Sequence, residues 1–146
     1  MLVMSEKEQS NITVAPPRRF TLPKSRILRG KRNFQNLFSG TALIKSPSVN
    51  LRYTTFNTSE WDFKIGFISP KKTGNAVQRN NAKRVMRESF RLNQHEIIQA
   101  VQEQGIGLHC VLIARTTNLR FAEVQTHVVT MLDELRNRLL STNQTI

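Results

Sequence analysis

Pro-Lys-Lys-Thr-Gly-Asn-Ala-Val-Gln-Arg-Asn-Asn-Ala-Lys-Arg-Val-Met-Arg-Glu-Ser-Phe-Arg, running from Pro70 to Arg91, is the stretch on which the chain turns. Pro70 to Gly74 reads as a turn. Asn75 then stands where a helix N-cap belongs, its side-chain oxygen placed to satisfy a free backbone N–H of the first turn. In the helix that follows, Arg79, Lys83, Arg87 and Arg91 recur every fourth residue. Asn80 and Arg84 fall on the same side of a cylinder that advances about 100° per residue. Ala82, Val85, Met86 and Ser89 take the opposite side. One face is small or apolar, and the other is a cationic stripe with only Glu88 near it. Like charges four residues apart cost a helix about a few tenths of a kcal/mol per pair, so helix propensity does not explain the pattern. A polyanionic partner does. Lys71 and Lys72 lie just before the helix N-terminus, where unpaired N–H groups and the positive dipole end face the same region.

The whole chain carries the same bias. A net charge of +12 over 146 residues directs it toward nucleic acid or an anionic membrane surface. No apolar run approaches the roughly 18 residues of a spanning helix, and the N-terminus lacks a basic region followed by an apolar stretch. A cytoplasmic protein is expected. The single Cys110 lies in an apolar run and reads as a small buried thiol. His95, His109 and His127 have none of the short spacings of a zinc site. No Gly-x-Ser-x-Gly, Walker-type loop or paired-carboxylate pattern is present, so the chain shows no catalytic machinery of its own.

The run Lys-Lys-Thr-Gly-Asn-Ala-Val-x-Arg-Asn-x-x-Lys-Arg-x-x-Arg-Glu-x-Phe-Arg resembles the signature of the bacterial ribonuclease P protein family. These are the small basic partners of the catalytic RNA that removes the 5′ leader from precursor tRNA. One position departs: the family pattern reads Arg-Asn-Arg where this chain has Arg79-Asn80-Asn81, so no phosphate contact is assigned to Asn81. The resemblance implies that Lys71, Lys72, Arg79, Asn80, Lys83, Arg84, Arg87 and Arg91 contact the catalytic RNA. It implies that Mg2+ acts through that RNA, with no metal bound by the protein alone and no catalytic residue in it. It further implies a cleft between the first helix and the sheet that receives the single-stranded leader on Phe34, Phe38, Leu51 and Tyr53. By residue pattern alone, Phe34 and Phe38 read as core. Two other readings use the same sequence: a structural RNA-binding protein of ribosomal type, motivated by the same charge, and a metal-dependent nuclease built on Glu60 and Asp62, for which a solvated turn is the better explanation.

Around the basic stretch, residues 1–23 are polar, contain Pro16, Pro17 and Pro23 and show no sustained period. They read as a flexible arm, with Arg18 and Arg19 followed by Lys24, Arg26 and Arg29 making the region basic. Ordering on RNA and a simple solubilising role both fit the arm. Residues 24–146 form one RNA-binding domain. Lys31 to Phe38 is a short helix with Phe34, Leu37 and Phe38 on one face. Thr41 to Lys45, Ser48 to Phe56 and Phe63 to Ser69 are strands on short links, for which an antiparallel meander is the simplest arrangement. The basic helix continues to about Glu103, and its second half turns a different sector apolar, which calls for a bend near Leu92-Asn93 or a new packing partner. Leu108 to Ala114 is apolar throughout, as in a central strand covered on both faces. Phe121, Val124, Val128, Met131, Leu132, Leu135 and Leu139 mark a long amphipathic helix. The order α-β-β-β-α-β-α predicts an α/β two-layer sandwich with a mixed four-stranded sheet covered by helices. A left-handed βαβ crossover is expected from the resemblance alone.

Overall fold

A computed structural model of the chain describes residues 21–38 and 42–144, so the arm expected over residues 1–23 falls almost wholly outside the described residues. The elements are α1 (Lys31–Phe38), β1 (Ala42–Ile44), β2 (Val49–Asn57), β3 (Asp62–Ile68), α2 (Ala76–Asn93), α3 (His95–Gln104), β4 (Ile106–Ala114) and α4 (Phe121–Gln144). The four strands form one sheet in the order β1-β2-β4-β3. β1 with β2 and β2 with β4 run antiparallel, whereas β3 and β4 run parallel, which makes the sheet mixed. The expected element order is realised, with the basic helix divided in two.

The first three strands do not form a meander. β4 lies between β2 and β3, pairing Leu51 with Leu112 on one side and Ile65 with Cys110 on the other. The reason is in β4 itself: Leu108, Cys110 and Leu112 are buried on one face and Val111 on the other. A strand apolar on both faces is stable only at the centre of a covered sheet. The connection from β3 to its parallel neighbour β4 runs through α2 and α3, a βαβ unit. At its end Gly105 takes a left-handed conformation (φ 63°) and its N–H donates to Val101 and Gln102 carbonyls, stopping α3.

The bend in the long helix falls at Gln94, which is both the last cap of α2 and the first of α3. Its buried side-chain amide donates to the Arg91 carbonyl (3.0 Å) and the Thr21 carbonyl (2.8 Å). Past this break Ile97, Ala100 and Val101 turn into the core. That reorientation explains why the apolar sector shifts in the sequence.

The main core lies between one sheet face and α2, α3 and α4. Met86, Phe90, Ile97, Val101, Val124, Val128, Met131 and Leu135 pack there against Val49, Leu51, Phe63, Ile65, Leu108 and Leu112. Phe90 stacks on Phe63 with ring centroids 5.6 Å apart. Cys110 is buried in this layer, and burial pushes its thiol far above the ordinary range, so it is an apolar filler. The opposite sheet face carries a smaller cluster of Leu28, Leu37 and Val111 with Phe34, Ile68 and Ile113, which seats α1. Ile27 bridges to Ile65 and the Leu28 N–H donates to the Ile65 carbonyl at 2.8 Å, covering part of the outer edge of β3.

Truncation of Phe90 to alanine removes a fully buried ring from the centre of the main core. It should lower the unfolding free energy by about 3–5 kcal/mol in urea titrations, and a loss under about 1 kcal/mol would mean that α2 is not anchored by this ring.

Candidate nucleic-acid interface

The interface is built by the way α2 starts. Pro70 leads into a single 3₁₀ turn, Lys71–Thr73, whose buried Thr73 hydroxyl donates to the Pro70 carbonyl (2.6 Å) and pairs with the Ser69 hydroxyl (2.9 Å). Gly74 follows with φ 137°, a backbone conformation that suits glycine. Asn75 then caps α2 as expected, its Oδ1 accepting from the Gln78 N–H at 2.9 Å. Gln78 Oε1 accepts in return from the Asn75 N–H at 2.9 Å, completing a capping box. The turn holds Lys71 and Lys72 exposed beside the helix N-terminus.

From that fixed start, the 3.6-residue period divides α2 as the sequence indicates. Ala82, Val85, Met86, Ser89 and Phe90 are buried. Asn80, Arg84 and Arg87 are exposed, and Arg79, Lys83 and Arg91 are half-exposed beside them. All the residues expected to meet RNA, from Lys71 to Arg91, thus belong to one continuous turn-and-helix surface. Among the described residues, none of Lys71, Lys72, Arg79, Lys83, Arg84 or Arg87 has a carboxylate within salt-bridge distance. Arg91 differs: its Nε and Nη2 donate to the two oxygens of Glu88, each at 2.9 Å. That bidentate hydrogen bond holds the Glu88 carboxyl below its usual range and raises the Arg91 guanidinium above its own.

Two stripe cations are oriented by neutral neighbours. Arg84 Nη2 donates to Asn81 Oδ1 at 2.6 Å. The residue that departs from the family pattern therefore positions an arginine in place of adding one. The Arg87 guanidinium lies 5.4 Å from the Phe67 ring centroid, within cation–π range.

Of the four residues expected to line a leader cleft, the three whose side chains are described do not come together. Phe34 lies on the α1 face of the sheet, its ring packed closely over Gly66. Leu51 is fully buried in the main core on the opposite face. Tyr53 packs against that same core, and its hydroxyl accepts a hydrogen bond from Arg138 of α4 (3.4 Å). This bond, with the Glu134 carboxylate, raises the Arg138 guanidinium above its usual range. Strand alternation is the physical cause: in β2, Val49, Leu51 and Tyr53 turn to the helices, so Asn50, Arg52 and Thr54 are the residues that face α1. Leu51 and Tyr53 are therefore withdrawn from the cleft. Phe38 ends α1, and its side chain lies outside the described residues.

One exposed apolar residue shares this surface. Val77 is 78% exposed at the start of α2, amid the cations. It lies seven residues before Arg84, close to two full turns, which places it on the cationic sector and not on the apolar one. The signal was present in the helical period.

The family model described as Ribonuclease P matches residues 22–136. The chain is 30% identical over 113 residues to the ribonuclease P protein component of a Nitratiruptor species, covering 76% of this chain and 93% of that protein. It is 32% identical over 111 residues to the ribonuclease P protein component of Syntrophus aciditrophicus, covering 73% of this chain and 84% of that one. Its fold is similar to the solved RNase P protein of Staphylococcus aureus, with a TM-score of 0.60 at 23% identity over 77% of this chain and 96% of that chain.

The capping box predicts a local energetic signature. Replacing Asn75 by alanine should lower the unfolding free energy by about 1 kcal/mol, read as a lower urea midpoint with unchanged slope. An unaltered midpoint would show that the cap does not hold the start of α2.

Proposed function

This chain belongs to the ribonuclease P protein family, and on that premise we propose that its α2 surface grips the catalytic RNA of the ribonucleoprotein while the α1 face of its sheet receives the single-stranded 5′ leader of precursor tRNA. As a ribonuclease P protein component it is an RNA-binding protein of tRNA processing. The observation that carries the finer reading is the placement of Lys71, Lys72, Arg79, Lys83, Arg84 and Arg87 on one solvent-facing surface without carboxylate partners among the described residues.

Cations one helical turn apart neutralise successive phosphates and release condensed counterions. The contacts that Arg84 and Arg87 make with Asn81 and Phe67 reduce the side-chain freedom lost on binding, so more of the charge attraction survives as affinity. Asn80, exposed between them, carries both a donor and an acceptor, suited to a phosphate, a sugar hydroxyl or a base edge. Val77 adds an apolar contact with no charge to desolvate. The pattern recognises the shape of folded RNA and not its sequence.

In this reading the RNA performs the phosphodiester hydrolysis, and the Mg2+ it uses is held by the RNA. The protein contributes charge and position. No helix among the described residues is long and apolar enough to cross a membrane. The leader face keeps Phe34 from the original set and takes Arg52 and Thr54 from β2 in place of Leu51 and Tyr53. Aromatic and cationic groups together hold a single strand without demanding one sequence.

Reconstitution tests the proposal. Adding the purified protein to the ribonuclease P RNA should restore precursor-tRNA cleavage at low magnesium, and no gain in cleavage would sink it. Arg84→Ala or Arg87→Ala should weaken RNA binding and flatten its dependence on log salt by about 0.7–0.9 unit per lost phosphate contact. A slope equal to wild type would remove that arginine from the interface. Glu88→Gln takes the only carboxylate out of α2 and should tighten RNA binding about two- to fivefold at low salt; weaker binding would mean that the Arg91–Glu88 pair itself is what the RNA requires.

A further inference from the structure

Among the described residues, the α1 face of the sheet is covered at one end only. α1 packs over Gly66, Ile68, Val111 and Ile113. Toward the other end, strand register places Thr54, His109 and Lys64 in one row and Phe56, Gly107 and Asp62 in the next. These residues alternate with Phe63, Ile65, Leu108 and Cys110 of the main core, so they face the α1 side.

Their arrangement is built in detail. His109 Nε2 lies 2.9 Å from Asp62 Oδ2. In the neutral imidazole, a proton on Nε2 donates to that carboxylate oxygen and leaves Nδ1 as an acceptor. The Phe56 ring meets the His109 ring edge to face, with centroids 4.8 Å apart and planes at 74°. Phe56 is 37% exposed and lies across Gly107, where a Cβ would fall 2.3 Å from the ring. Glycine at that position lets the aromatic ring lie on the strand. Lys64 stands beside His109 on the neighbouring strand.

We propose that Phe56, His109, Asp62 and Lys64 form a subsite for one unpaired base of the RNA leader, one that favours a base carrying an exocyclic amino group over uracil. The inference rests on the leader reading above and adds a base preference to it. Phe56 supplies a face or edge for stacking, which requires a base free of its duplex. Lys64 supplies the cation for the adjoining phosphate, and Asp62, already engaged by His109, presents less repulsion to it. His109 Nδ1 accepts a hydrogen bond from the amino group of adenine, cytosine or guanine. Uracil offers carbonyl oxygens on both sides of its single base-edge N–H, and these meet the same lone pair unfavourably.

The test uses the reconstituted protein–RNA complex and a panel of precursor tRNAs carrying each of the four nucleotides at each leader position, with leaderless tRNA as the reference. At one position uracil should bind about three- to fivefold more weakly than the other bases. His109→Phe keeps a ring and should erase that preference while retaining most of the leader's affinity. Phe56→Ala should lose about fivefold or more of the leader's contribution whichever base is present, and Gly107→Ala should do the same by displacing the ring. A preference that survives His109→Phe overturns the subsite. So does a leader that adds affinity in the wild type but is indifferent to Phe56→Ala and Gly107→Ala, a result that leaves the leader reading standing. A leader that adds no affinity to the wild-type complex overturns both.

Discussion

Arg79, Lys83, Arg84, Arg87 and Arg91 repel one another along a single helix, and the fold exists in this form because the far side of that helix is buried. Each like-charge pair costs about a few tenths of a kcal/mol. Each fully buried Val, Met or Phe side chain contributes about 1.5–3 kcal/mol, and α2 buries Val85, Met86 and Phe90 together with Ala82. Phe90 lies against Phe63 and Phe67 of β3, so the sheet sets the rotation of α2. The capping box fixes where the helix begins. Together these constraints aim the cations outward. The repulsion that remains is relieved when the stripe meets a polyanion, which couples the stability of the helix to its ligand.

The edge strand β3 belongs to both proposed surfaces. On one side Phe63 and Phe67 support α2, and Phe67 also carries the Arg87 guanidinium. On the other side Asp62 and Lys64 reach the open half of the α1 face. A seven-residue strand with period-2 alternation is therefore enough to support the basic helix on one side of the sheet and the row of Asp62 and Lys64 on the other.

Much of this was legible in the sequence, for local reasons. The bounds of α1, the Asn75 cap, the two sides of α2 and the burial of β4 all follow from periods and capping chemistry that act within a few residues. What was not legible depends on distant partners. The insertion of β4 between β2 and β3 is decided by which strand needs cover on both faces, a comparison that short connections obscure. The alternation of β2 separates Leu51 and Tyr53 from Arg52 and Thr54, but it does not say which set meets α1; only the register against β4 does. The shift of the apolar sector signals a break near Leu92-Asn93, but the bond from Gln94 to Thr21, 73 positions away in the chain, is one that no window of sequence reveals. The His109–Asp62 pair likewise joins two strands 47 positions apart.

The central claim is that one turn-and-helix surface meets the RNA. Mass-spectrometric footprinting of lysine and arginine reactivity, on the protein alone and assembled with its RNA, tests it most directly. The account predicts that Lys71, Lys72, Lys83, Arg84 and Arg87 lose reactivity on assembly while Lys45, exposed beside β1 at the other edge of the sheet, keeps it. Unchanged reactivity across α2 with protection at Lys45 would contradict it.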